Sequence, residues 1–426
     1  MRIWMMAAAV LALAAPAAAE AAPEAARLGQ LLFYDKVLSG NRNIACATCH
    51  HPRFGTSDGV SLGVGEGGTG LGPDRVADPA NPPEQRIPRN APALFNLGAA
   101  EFTRLFHDGR IEADPSRPSG LRTPLEDEMV AGFSGVLAAQ TMFPVLSPDE
   151  MAGHYAENDV STAVRRGVLT GPDGAWALIA GRVAAIPEYA EMFENVYPET
   201  VSRGIAFTDV ANAIAEFIAY EWRADASRYD RALDGGPPLD GLAAEGLALF
   251  EGRGGCAACH AGRFQTDHAF HAMGDPQLGP GKAQRFERHQ RDVGRMLVTG
   301  RAADAYAFRT PSLRHVTETG PWGHAGAFDD LRAYLRHHAD PVAGLARYTP
   351  QAVLPAIAVP QPDLAMMDDP AERAAISAAV QRPPVALSEA DLDALLAFFD
   401  TLDDPGASAG RLGVPAAVPS GLPVDR

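Results

Sequence analysis

CATCH at residues 46–50 and CAACH at residues 256–260 govern the reading of this chain, because together they use every cysteine it has. Cys46, Cys49, Cys256 and Cys259 each stand in a C-x-x-C-H unit, so no thiol is left for another task. Two thiols three residues apart can add to the two vinyl groups of a haem, and the adjoining His then lies beneath the iron as its proximal ligand. His50 and His260 take that position, which predicts two covalently bound haem c groups and no disulfide. Reading the units as two redox C-x-x-C pairs, each followed by His by accident, would need one coincidence twice.

The start of the chain sets the compartment. Arg2 gives a positive beginning, residues 5–15 an apolar stretch, and Ala17, Ala18 and Ala19 a small-residue cleavage site, so residues 1–19 read as an export signal and the periplasm is expected. That stretch is too short to span a bilayer and none like it follows, so membrane insertion is not expected. No Cys stands at the cleavage point to carry a lipid. A net charge of −17 disfavours nucleic acid and anionic membrane as partners. It suits a basic electron donor or a neutral oxidant, and it also serves solubility.

At 426 residues the chain is too long for one ordinary core. Apolar residues at helical spacing precede each haem motif: Leu28, Leu31, Leu32 and Phe33 before the first, Leu242, Leu247 and Phe250 before the second. The repeated unit predicts a mainly α fold of two tandem cytochrome c-like helical domains, each with one covalent haem, joined by long irregular loops. Residues 177–183 and 207–220 carry further helical patterns. Gly235, Gly236, Pro237 and Pro238 break the periodicity, which divides the chain into residues 20–235, residues 236–405 and an irregular tail at 406–426. Residues 59–88, full of Gly and Pro, predict a loop round the first haem. A last helix over 388–402 opens on Ser388 and Asp391, a capping pair.

Several further motifs resemble the bacterial di-haem cytochrome c peroxidase and MauG family. PRNAPALFN (88–96) and FHDGR (106–110) are similar to that family's Pro-Arg-Asn and aromatic-Trp-Asp-Gly-Arg segments. TGRAADAYAFRTPSLRHV and TGPWGHAGAFDDLRAYL resemble its Phe-Arg-Thr-Pro-Ser-Leu-Arg run and the His-x-Gly segment beyond it. The likeness extends over most of the mature chain. It implies that QTMFPVLSPDEM is the distal pocket of the first haem, with Gln140, Pro144 and Glu150 on the family's Gln, Pro and Glu positions. Glu150 is then the general acid/base that moves a proton between the oxygens of peroxide, and Gln140 positions the oxidant. An isolated Glu after Ser-Pro-Asp would otherwise read as a helix N-terminal charge.

Departures from the family are as informative. Its peroxidases carry a distal His in the loop before Pro-Arg-Asn, whereas residues 52–105 hold no His. The first iron is therefore expected to be open without prior reduction, as in the MauG branch; Met or water is the competing occupant. Fourteen residues past His324, where relatives place Met or Tyr, stands His338, which implies His260/His338 coordination of the second haem. His337 is the neighbouring competitor, and Met273 and Met296 are weaker ones. His107 replaces the Trp expected between the haems; it or Trp322 could serve electron transfer. Asn90, Thr319 and Pro321 match the family's inter-haem calcium ligands, and oxygen donors suit Ca2+. The resemblance implies peroxide reduction with electrons from a small cytochrome c or cupredoxin. A MauG-like oxidase acting on a partner protein and a non-enzymatic electron carrier are the alternatives, and a homodimer is compatible with relatives.

Overall fold

The computed structural model describes residues 23–282 and 290–426, so the expected export signal lies outside the described residues. The chain is mainly helical, with three small antiparallel sheets of two- and three-residue strands.

The same helix crossing is built twice. Helix Glu24–Tyr34 leads into the first haem motif and crosses helix Phe207–Glu221, while helix Gly241–Glu251 leads into the second and crosses helix Glu389–Phe399. A glycine permits each contact. A Cβ on Gly29 would lie 1.8 Å from the Ala213 carbonyl oxygen and 2.8 Å from Phe217 Cβ. A Cβ on Gly246 would lie 1.9 Å from the Ala394 oxygen and 2.8 Å from Phe398 Cβ. These backbones touch because neither glycine carries a side chain, and each crossing is sealed by aromatics. Phe33, Phe217 and Trp222 pack with ring centroids 5.1–5.3 Å apart in one unit, and Phe250 lies 5.1 Å from Phe398 in the other.

Two main hydrophobic cores result. The first runs from Leu28 to Ala224, and the second from Tyr229 to Leu402. Helix Arg228–Leu233 sits with the second core, where Asp230 receives the fully buried Arg314 through 2.7 and 2.8 Å bonds. Ser388 caps the last long helix with Asp391 as the sequence predicts, donating its hydroxyl to the carboxylate over 2.8 Å. Residues 59–88 are irregular apart from the two-stranded pairing of Gly68–Thr69 with Val76–Ala77 and the 3-10 turn Gly72–Asp74 between them.

The C-terminal residues return to the first core. Ala407 and Val418 are buried in it, with Leu412, Val414, Leu422 and Val424 packed against it. Glu221 accepts the backbone N–H groups of Arg411, Leu412 and Gly413. Asp425 receives the Thr48 hydroxyl, inside the first haem motif, at 2.7 Å. Among the described residues no helix is long and apolar enough to cross a membrane.

Candidate functional site

Both C-x-x-C-H units fold as the same tight turn. The backbone N–H of His50 donates to the Cys46 carbonyl at 3.0 Å, and that of His260 to the Cys256 carbonyl at 2.9 Å. Each imidazole then uses Nδ1 on a carbonyl of the following loop, Thr56 at 3.0 Å and Gln265 at 2.9 Å. A carbonyl can only accept, so Nδ1 carries the proton and Nε2 is left as the metal-binding nitrogen. Burial lowers the pKa of both rings, which keeps them neutral as ligands must be. All four thiols are free. Burial pushes those of Cys46 and Cys49 up to about 12, whereas a catalytic redox pair needs a depressed thiol. These cysteines fit covalent attachment of a haem, which needs no depressed thiol.

The second site contains a test of whether a haem fits. A cavity between the two cores is lined by His260 on one side and by Leu331, Tyr334, Leu335 and His338 on the other. Those four are one stripe of helix Leu331–Ala339, which Asp330 caps by accepting the N–H groups of Arg332 and Ala333. The rings of His260 and His338 face each other with centroids 6.2 Å apart. Two metal–imidazole bonds of about 2 Å plus half of each ring fill that separation. His337 points elsewhere: it packs 5.0 Å from the Phe328 ring, and its Nε2 lies 3.8 Å from Asp275. Met273 lines a separate surface cleft beside Cys259.

Two arginines complete the fit. Arg309 and Arg382 line the same cavity, and neither pairs with a carboxylate among the described residues. Burial depresses Arg309 to about 10, the behaviour of a cation missing its counter-ion. Haem propionates supply carboxylates of that kind. Sequence reasoning quoted Arg309 within its motif without assigning it a task, and it missed Arg382 and Asp275, which no local pattern marks.

The first site is organised round Glu150, in the wide turn Pro148–Ala152. Its carboxyl is raised above the ordinary value by burial, an effect that Lys282 and Arg110 oppose and Asp149 reinforces. Its charge adds to the rise of the Cys49 thiol, which puts it in the neighbourhood of the first haem motif. Lys282 is lowered to about 8, chiefly by burial; the sequence reading had not picked it out. Gln140 stands in the last turn of helix Val136–Thr141 with its side-chain oxygen buried and unpartnered among the described residues. Of the other histidines in this unit, His51 accepts the Arg53 N–H with Nδ1 at 3.2 Å and His154 Nδ1 lies 3.2 Å from the Asn81 side-chain oxygen, while the Nε2 of each is buried without a hydrogen-bond partner among the described residues.

Between the sites the quoted motifs interlock. Arg89 joins Asp108 at 2.8 Å and Asp292 at 2.6 Å, with all three side chains at most 6% exposed. His107 donates Nε2–H to the Asn90 carbonyl at 3.0 Å, and burial with the nearby Arg89 holds its pKa down at about 3, so the ring is neutral. Asn90, His107, Thr319, Pro321 and Trp322 all line the cavity of the second haem site. Asn90 donates its amide to the Val60 and Ser61 carbonyls, leaving its side-chain oxygen free for another partner. Trp322 donates its ring N–H to the Val316 carbonyl at 2.8 Å.

Comparison with known proteins agrees with this geometry. Residues 23–237 match the family model described as di-haem cytochrome c peroxidase. The chain is 30% identical to the methylamine utilization protein MauG of Methylorubrum extorquens over 325 residues, 76% of this chain and 70% of the relative. It is 26% identical to the cytochrome-c peroxidase IdrP1 of a Pseudomonas species, covering 72% and 69%. A crystal structure of a MauG-like protein associated with microbial copper homeostasis superimposes with a TM-score of 0.59 at 24% identity, covering 91% of each chain. The chain therefore belongs to the di-haem cytochrome c peroxidase family and is an oxidoreductase.

Proposed function

We propose that this protein is a periplasmic peroxidase that reduces hydrogen peroxide to two molecules of water with two electrons from a small cytochrome c or cupredoxin and two protons. The observation that carries the reading is Glu150, a half-buried carboxyl that desolvation raises above the ordinary range, near the first haem motif with cationic Lys282 and Arg110 about it. Haem c held by Cys46, Cys49 and His50 would supply the redox centre for peroxide, and haem c held by Cys256, Cys259, His260 and His338 the electron store. The chain's own groups handle the protons. A raised pKa lets Glu150 take a proton from one peroxide oxygen and return it to the other, where water leaves. Gln140, with its free buried oxygen, orients the oxidant. Neutral His107 and Trp322 line the space between the sites without adding charge to it. Asn90, Thr319 and Pro321 offer oxygen donors from both halves of the chain for one Ca2+ that would fix their junction.

A second reading is a MauG-like oxidase acting on a partner protein. The His-free stretch 52–105 and the likeness to MauG favour it. The two readings share the same peroxide step, and the supply of a donor cytochrome separates them by turnover. Stopped-flow mixing of ferric holoprotein with peroxide should give a spectral change at once, slowed ~10² to ~10⁴-fold in Glu150→Gln. A ferric protein that stays inert until half-reduced would overturn the open-site reading, and an unslowed Glu150→Gln would remove Glu150 from the mechanism.

A further inference from the structure

Among the described residues, Asp275 is the single carboxylate lining the cavity between His260 and His338. Its side chain is 11% exposed, and no Lys or Arg pairs with it there. What surrounds it is uncharged or weakly basic. The Tyr334 hydroxyl donates to it at 3.3 Å, His324 Nδ1 lies 3.8 Å away on one side, and His337 Nε2 lies 3.8 Å away on the other. These three are themselves fixed. His324 stacks on Phe308 with centroids 3.8 Å apart, Tyr334 packs 5.3 Å from Phe328, and His337 lies 5.0 Å from the same ring.

We infer that Asp275 is a positioning residue whose negative charge sets the potential of the second haem, and that Tyr334, His324 and His337 hold it beside the His260/His338 pair. The inference rests on the two-histidine coordination proposed above. The charges in the cavity can be counted. Arg309 and Arg382 bring two positive charges, which the two propionates of a haem match, and Arg314 is already committed to Asp230. Asp275 is what remains. The Tyr334 hydroxyl donates to it, two imidazole nitrogens stand 3.8 Å away, and no second carboxylate lines the cavity to share a proton, so it stands there as a carboxylate. A largely buried negative charge with no Lys or Arg beside it among the described residues favours the more positive, oxidised iron. Asp275 therefore lowers the potential of the second haem and makes it the stronger electron source for the first.

Spectroelectrochemical titration of the holoprotein tests this, with the near-infrared band of the low-spin haem read in the same samples. Asp275→Asn should keep the band and shift the midpoint potential of that haem upward, leaving the other haem's potential in place; Asp275→Glu should return it toward the wild-type value. Tyr334→Phe keeps the charge and removes its hydrogen-bond donor, so it should shift the potential downward. That variant stands in if Asp275→Asn does not acquire its haems. A band retained with the potential unmoved in Asp275→Asn, or moved upward in Tyr334→Phe, overturns the inference. A wild-type protein without the two-imidazole band would instead overturn the ligand reading beneath it.

Discussion

Gly246→Ala tests the helix crossing that carries the second haem motif. The added Cβ would stand 1.9 Å from the Ala394 carbonyl oxygen, where ordinary contact begins at 3.4 Å, so the helices must separate by roughly 1.5 Å. A backbone oxygen cannot rotate aside as a side chain can. The separation would also unseat Phe398, fully buried between Phe250 and Tyr229. Overpacking of this kind costs about 1–3 kcal/mol. Ala gains back about 1 kcal/mol over Gly in a helix, which leaves a net loss of up to ~2 kcal/mol. For a unit of this size that lowers Tm by up to about 8 °C. Gly181→Ala is the control: Gly181 lies in helix Ala175–Ala184 with nothing within 4 Å of an added Cβ, so it should gain up to ~1 kcal/mol. Thermal unfolding followed by circular dichroism and by haem absorption reads both. Gly246→Ala should disturb the second haem before the first, and Gly29→Ala the reverse. If Gly246→Ala is as stable as Gly181→Ala, the close crossing is not what holds the unit together.

His338→Met should raise the potential of the second haem and change its near-infrared band, since a thioether stabilises ferric iron less than imidazole does; His337→Ala should leave the band in place. The reverse pattern would mean that the ligand is the neighbour. For Asp292, burial alone would raise the carboxyl, but Arg89 overrides burial and holds it at about 2 against an ordinary 3.8. A depressed carboxyl stabilises above its unfolded pKa and loses that contribution as pH falls through the folded one. Asp292→Asn should therefore lower stability by about 3 kcal/mol at pH 7, the cost of breaking a buried pair, with the difference shrinking between pH 4 and pH 2 in denaturant titrations. A difference independent of pH would refute the charge argument.

How far the sequence could be read follows from where each constraint lies along the chain. Covalent attachment needs Cys, Cys and His within five residues, so both proximal sites are visible at once, and the amphipathic helices before them show as local periodicity. Glu150 and Gln140 carry no local signature, and only the resemblance of the whole segment pointed to them. His338 and His337 are neighbours in sequence, and only the fold shows that Leu331, Tyr334 and Leu335 share a cavity-lining face with His338. The return of the C-terminus to the first unit was not legible, because its partners Asp35, Thr48 and Glu221 lie 190 to 385 residues away in sequence. Asp275 was hidden for the same reason: its neighbours His324, Tyr334 and His337 meet it only in the fold.

The central claim is that the two irons differ, one open for peroxide beside Glu150 and one closed by His260 and His338. Low-temperature electron paramagnetic resonance and near-infrared spectra of the as-isolated ferric holoprotein test this most directly. They should show one high-spin haem, lost on adding peroxide, together with one low-spin haem carrying two imidazoles. Two low-spin haems, or a sixth ligand other than imidazole on the second, would contradict it.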